Sequence, residues 1–244
     1  MMKEMNKKSE FKHFEKLSNE WWDPKGEFKI LHQLTPLRVK YIKNMCFDIS
    51  NKKKSKKHLS NLDILDLGCG GGLICEPLSR LGANVTGIDF IKQNINIAKI
   101  HAKNSNLKIQ YLHKNVKNFS TKKKYDIILV LELLEHLSEW KEIILKAQKF
   151  LKPKGKIIIS TINRNIFSRF LAIYLAENIL KWVPKNTHNY EKLIKPNELI
   201  TFLENKNFEV IDVTGLIFKP ISLEWSLEKN KDIINYFCTA IKSN

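Results

Sequence analysis

Residues 61–72 read Asn61-Leu62-Asp63-Ile64-Leu65-Asp66-Leu67-Gly68-Cys69-Gly70-Gly71-Gly72. Leu62, Ile64, Leu65 and Leu67 make an apolar run that the glycines cut off before a helix could form. Such a run suits a strand covered on both faces, as in a parallel sheet. Helical spacing resumes from Leu73 to Leu81. Strand, glycine turn and helix together form a cradle for a polar or anionic ligand. Glycines let backbone approach closely, and a helix N-terminus presents free N–H groups. The spacing excludes two kinds of cradle. A dinucleotide fingerprint needs G-x-G-x-x-G, but Leu73 stands where its last glycine belongs, and a phosphate-binding loop needs a Gly-Lys-Ser/Thr ending that is missing.

What remains is D-x-G-x-G-x-G at Asp66, Gly68, Gly70 and Gly72. This resembles the first motif of the class I methyltransferases that use S-adenosylmethionine. The next strand, Asn84 to Asp89, ends in an acid. Asp89 follows Gly68 at about the 20-residue spacing at which an acid meets a ribose. One carboxylate can accept both ribose hydroxyls.

The chain has 244 residues, 43% of them apolar, enough for one large α/β domain. Cys46, Cys69, Cys75 and Cys238 are scattered without metal-finger spacing, which reads as reduced thiols in a cytosolic protein. No apolar stretch reaches the roughly 18 residues of a membrane span. Glu4, Glu10 and Glu15 among the first lysines argue against a secretory or transit leader. The net charge of +17 is nearly all lysine, with one cluster at residues 51–58. A nucleic-acid reader more often concentrates arginine and exposed aromatics on one face, so solvated surface is the default. A basic surface also suits an anionic membrane.

Ser9 to Trp22 carries Phe11, Phe14, Leu17, Trp21 and Trp22 at helical intervals, a cover over the site or part of the core. Thr35-Pro36 read as the cap and first turn of a helix through Arg38, Tyr41, Ile42 and Met45. Arg38 is one of only four arginines, and its planar fork suits either a carboxylate ligand or a surface salt bridge. Lys92 to Lys103 reads as a helix and Lys108 to Leu112 as a third strand. Asn115-Val116 then fall at the carboxyl edge, where adenine could lie. Tyr125 to Leu131 is strand four, running into Glu132, Glu135 and His136. Spaced i, i+3, i+4, these three share one face of a helical turn. They could hold a divalent ion, form an acid–base pair with His136 and Glu135 as catalytic groups, or support the loop. Trp140 to Leu151 is a helix and Lys156 to Thr161 strand five. Ile166 to Val183 is apolar around most of its circumference, so that helix is buried, a lid, or at a lipid interface. Phe208 to Thr214 and Ile233 to Ile241 read as last strands forming an antiparallel edge.

Taken together, Trp21-Trp22-Asp23, Gly26 to Arg38, Leu65 to Gly72, Glu132 to His136, Ser160 to Arg164, Val183 to His188 and Asn235-Tyr236 resemble the ubiquinone biosynthesis O-methyltransferases over nearly the whole chain. Three departures stand out: Leu131 for a usual methionine, Thr35 for asparagine and Asn186 for glycine. The resemblance implies a class I, Rossmann-like α/β fold: a seven-stranded sheet with helices on both faces, an N-terminal helical cap over residues 1–60 and a methyltransferase domain over 61–244. A helical insert follows strand five at about 164–195. It implies methyl transfer from S-adenosylmethionine to phenolic oxygens of polyprenylated ubiquinone precursors, at two steps. Arg38 would hold the methionine carboxylate, Gly68 and Gly70 would line the cofactor, Asp89 would take the ribose, and Val116 and Leu131 would pack beside it. Glu132, Glu135 and His136 would bind a divalent metal, magnesium by donor type. If His136 is a ligand it cannot also be the base. The expected partners are the polyprenylated phenol or catechol, an anionic membrane surface and other ubiquinone-pathway proteins. The expected location is cytoplasmic, at the inner membrane face. A nucleic-acid methyltransferase is the alternative, although no Asp/Asn-Pro-Pro-aromatic motif and no Pro-Cys nucleophile is found.

Overall fold

The computed structural model describes residues 20–46, 58–165, 168, 190–219, 224–229, 231 and 234–243. Eight strands form one sheet: β1 (Asp63–Leu67), β2 (Asn84–Asp89), β3 (Gln110–His113), β4 (Tyr125–Leu131), β5 (Leu151–Ile162), β6 (Phe208–Lys219), β7 (Glu224–Lys229) and β8 (Asn235–Lys242). Among the described residues five α-helices accompany them: α1 (Lys29–Met45), α2 (Cys75–Arg80), α3 (Lys92–Asn104), α4 (Trp140–Phe150) and α5 (Pro196–Glu204). The strand order is β3-β2-β1-β4-β5-β8-β6-β7. The first five are parallel, and β8 runs antiparallel between β5 and β6.

The apolar runs explain the layers. In β1 and β4, alternate residues face opposite helices. Ile64, Ile127 and Leu129 join one core with Leu34, Tyr41 and Ile42 of α1 and Ile95 and Ala98 of α3. Leu65, Ile128 and Val130 join the other, with Ile144 and Ala147 of α4 and Leu199 and Leu203 of α5. Each fully buried aliphatic side chain contributes roughly 1.5–3 kcal/mol. Burying both faces is what fixes β1 and β4 at the middle of the sheet.

Three expectations need correction. The sheet has eight strands, not seven, because β6 runs past Thr214 and folds back as β7. The edge is therefore β7, while β6 and β8 pair inside the sheet. The first helix does not begin at Thr35-Pro36: α1 starts at Lys29 and passes through Pro36. The Thr35 hydroxyl donates to the Leu31 carbonyl at 2.7 Å, so it bonds back into the helix instead of capping it. The expected helix over Ser9 to Trp22, the lysine cluster and the insert over Ile166 to Val183 lie outside the described residues, apart from Glu20, Trp21, Trp22, His58 and Ser168.

Candidate active site

The parallel strands end together. Leu67 lies beside Ile88 and Val130, Leu131 beside Ser160, and Ile162 beside Asn235. Connections leave β1 toward β2 on one side while β4 lies on the other, so the crevice beyond these ends is where an open α/β sheet takes its ligand.

The glycine turn is tied to β2. The Gly68 and Cys69 amides donate to the Ile88 carbonyl at 2.9 and 3.0 Å, and the Gly70 amide donates to Asp89 Oδ2 at 3.0 Å. Gly70 has φ +53°, and a Cβ there would overlap the Trp21 ring. Only glycine fits both demands. Asp89 is buried, and its other oxygen accepts from the Ile91 amide at 2.8 Å and Asn94 Nδ2 at 3.3 Å. Burial pushes its pKa up, against the pull of these donors. Asp66 is also buried. It accepts from Cys75 Sγ at 3.2 Å, and burial raises its pKa to about 6 although Arg38 pulls the other way.

Arg38 reaches this edge from α1 and is 5% exposed. Its Nη2 lies 3.3 Å from Glu132 Oε1, while its Nε is buried without a hydrogen-bond partner. Glu132 has a left-handed backbone, φ +50°. Its carboxylate also accepts from Ser160 Oγ at 2.7 Å and from Asn235 Nδ2 at 3.4 and 3.5 Å. Glu135 accepts from Thr161 Oγ1 at 2.8 Å. Burial, and then the charge of Glu132, push the Glu135 carboxyl up to about 8.

These contacts overturn the expectation of one shared helical face. Only Leu134–His136 form a short 3-10 turn, and Glu132 lies outside it. Ser160 and Thr161 are neighbours in β5, where successive side chains point to opposite faces. They hold Glu132 and Glu135 apart accordingly. Among the described residues no three His, Cys, Asp or Glu side chains gather closely enough to hold a metal ion. His136 is half-buried at the end of the turn.

Leu131 is buried at the end of β4, and Val116 is half-buried against the second core. Asn115 turns its Oδ1 to the Lys117 amide at 2.9 Å. Phe90, directly after Asp89, is 48% exposed at the same edge. Phe90 and Asn94 were not singled out from sequence, and Ser160, Thr161 and Asn235 entered only as segments of the family resemblance, with no site role. A readable signal existed only for Ser160-Thr161: two hydroxyls directly after the apolar run Ile157 to Ile159.

A family described as "Methyltransferase domain" matches residues 40–213. Among solved structures, a possible histamine N-methyltransferase from Thermotoga maritima superposes with a TM-score of 0.67 at 15% identity, covering 96% of this chain and 100% of that one. Magnesium protoporphyrin IX methyltransferase from Synechocystis PCC 6803 with bound SAH gives 0.63 at 18% identity, covering 89% and 86%. At those identities the likeness is one of fold. Sequence relatives are much nearer. The ubiquinone biosynthesis O-methyltransferase of Rickettsia akari is 42% identical, covering 97% of this chain and 92% of its own length. That of Pelagibacter ubique is 42% identical over 99% of this chain and 100% of its own length. With a methyltransferase sheet, a glycine turn bound to Asp89 and likeness on this scale from end to end, the chain belongs to the ubiquinone biosynthesis O-methyltransferase family.

Proposed function

We propose that the protein moves the methyl group of S-adenosylmethionine to phenolic hydroxyls of polyprenylated ubiquinone precursors. The family likeness, which runs well beyond the cofactor motif, carries the acceptor. The half-paired guanidinium of Arg38 supports the cofactor: a buried fork with one idle N–H suits an incoming carboxylate. In this reading Arg38 binds the methionine carboxylate, Gly68 and Gly70 line its path, and Asp89 accepts the ribose hydroxyls. Val116, Phe90 and Leu131 give apolar surface beside the adenine and the sulfonium.

A free phenol has a pKa of about 10, so little of it is anionic at neutral pH. His136 takes the phenolic proton in this reading. The oxygen then forms its bond to the methyl carbon as the sulfur–methyl bond breaks, leaving S-adenosylhomocysteine and a protonated base. The chain's part is to hold oxygen and methyl in line and to exclude water. A divalent ion held by Glu132, Glu135 and His136 would lower the phenol's pKa by contact, in place of His136 acting as the base. As the side chains stand, Glu132 is committed to Arg38, Ser160 and Asn235, and Glu135 to Thr161. The trio is not a ready cage, and no step above depends on it.

A polyprenyl tail partitions into bilayer. No helix among the described residues is long and apolar enough to cross one. The sequence from Ile166 to Val183, with Arg169 and Lys181 within it and Arg164 and Lys185 on either side, supports contact with an anionic membrane surface. Labelled S-adenosylmethionine, offered with a prenylated catechol and separately with RNA and DNA, tests the whole reading. Label should appear in the catechol ether alone. Label in nucleic acid and none in the catechol would replace it.

A further inference from the structure

The donors around Asp89 form a chain that leads out of the cofactor site. Asn94 sits in the first turn of α3 and is 2% exposed. Its Nδ2 donates to Asp89 Oδ1 at 3.3 Å, and its Oδ1 accepts from the indole N–H of Trp21 at 2.8 Å. An indole nitrogen can only donate, and an ionised carboxylate can only accept. A buried amide between them fits only one way round. Trp21 therefore fixes the direction of the Asn94 amide, and the amide fixes one oxygen of Asp89.

Trp21 is itself held firmly. Its ring stacks on Phe28 with centroids 3.9 Å apart and planes at 12°. The same ring lies across Gly70 and Gly71, where a Cβ on either glycine would overlap it. Its carbonyl accepts from His32 Nε2 at 2.9 Å, on the helix that also carries Arg38. The neighbouring Trp22 donates its N–H to the Gly71 carbonyl at 3.0 Å and stacks on His101 with centroids 3.5 Å apart. Core packing alone would need the two rings. It would not need both indole N–H groups to end on the glycine turn and on the partner of its acid.

We infer that Trp21 and Asn94 are positioning residues for the cofactor's ribose: acting in series, they hold the Asp89 carboxylate in the orientation that meets the hydroxyls. This rests on Asp89 taking the ribose, as proposed above. It adds that the segment before α1 belongs to the cofactor site and sets ribose recognition without touching the ligand. When Trp21 loses its N–H, the oxygen end of the Asn94 amide loses its anchor, and the bond from its Nδ2 to the carboxylate slackens. The cost falls on the hydroxyl contacts and spares the rest of the cofactor.

The test compares S-adenosylhomocysteine with its 2′-deoxy counterpart by calorimetry, in the wild-type protein, Trp21→Phe, Asn94→Leu and the double variant. Phenylalanine keeps the stack and removes the N–H. Wild type should prefer the intact ribose by about 10-fold, and each single variant should shrink that preference by about 3- to 10-fold while binding the deoxy ligand almost as before. The double variant should lose no more than Asn94→Leu, as a serial connection requires. Equal weakening of both ligands in the variants would mean simple structural damage and would overturn the inference. So would an unchanged preference. A wild type that ignores the 2′-hydroxyl would overturn it by a different route, by removing Asp89 from the ribose, and would leave the methyl-transfer reading to its own assay. If Trp21→Phe does not fold, Asn94→Leu and Asn94→Ser carry the comparison.

Discussion

Arg38 and Glu132 face each other across the carboxyl edge of the sheet, Nη2 to Oε1 at 3.3 Å, with the arginine's remaining Nε buried and unpaired. The two residues come from α1 and from the turn after β4, so the pair joins the cofactor side of the crevice to the side expected to meet the acceptor. In the proposed reading a cofactor carboxylate competes with Glu132 for the same fork. Arg38→Lys should weaken S-adenosylhomocysteine by roughly 1.5–3 kcal/mol, since an ammonium cannot reproduce a bidentate grip. Glu132→Gln should strengthen it by a few-fold, on the order of the 0.2–1 kcal/mol of a partly exposed pair. Calorimetry decides. Weakening in both variants would show that Glu132 orients Arg38 and does not compete for it.

Removing the ribose acid is a harsher change. Asp89→Ala leaves the Gly70 and Ile91 amides without their acceptor and should cost roughly 1.5–3 kcal/mol of S-adenosylmethionine affinity. Unchanged affinity in a folded variant would take Asp89 out of the site.

Asp66 predicts a pH dependence of stability. Burial raises its carboxyl from the ordinary 3.8 to about 6 in the folded protein. The folded state thus holds this proton more tightly than the unfolded chain does. The stability it contributes is complete below pH about 4 and is lost as pH rises through about 6. Asp66→Asn stays neutral throughout. Its melting temperature should rise relative to wild type between pH 4 and 6 and hold that lead above, with a ceiling of about 3 kcal/mol. A difference that stays flat across this window would show that Asp66 titrates normally.

The metal question reduces to whether Glu132 can be released. If the cofactor takes Arg38, magnesium should bind at least about 5-fold more tightly with S-adenosylhomocysteine present than without it. Glu132→Gln should abolish that gain. Full turnover in chelator, with no metal bound, would return Glu132 and Glu135 to supporting the turn.

Membrane contact is tested by flotation with anionic liposomes. Binding should fall with salt and be lost when Phe167, Phe170 and Ile173 become serine, while activity on a short-tailed soluble analogue persists. A folded triple variant that still floats would exclude this segment.

Strands β2 and β4 were legible to the residue, because β2 closes on Asp89 and the apolar run of β4 stops at Leu131, directly before Glu132. β7 was not: Glu224-Trp225-Ser226-Leu227 offers only two apolar side chains, and their burial comes from packing against the first core. The start of α1 was hidden for a different reason. Its N-terminus has no side-chain cap hydrogen bond, so the nearest cap-like residue drew the boundary inward. Within the site, the residue types were readable and their directions were not. Helical spacing assigned Glu132, Glu135 and His136 to one face, but a left-handed backbone at Glu132 cancels that periodicity. Contacts such as Arg38 to Glu132, or Trp21 to Asn94, join distant segments and leave no local trace.

The placement of β8 has a consequence for how the molecule is made. It follows β6 and β7 in the chain, yet lies between β5 and β6. During synthesis the growing sheet therefore presents β5, fully buried through Ile157 to Ile159 in the finished protein, as a raw edge until Asn235 to Lys242 emerge. The β6–β7 hairpin must stand aside meanwhile, because docking early on β5 would shut out the later strand. A nascent chain with such an edge is open to pairing with its neighbours on the polysome. A chain cut short before Asn235 should therefore aggregate through β5, the edge that β8 covers in the finished protein.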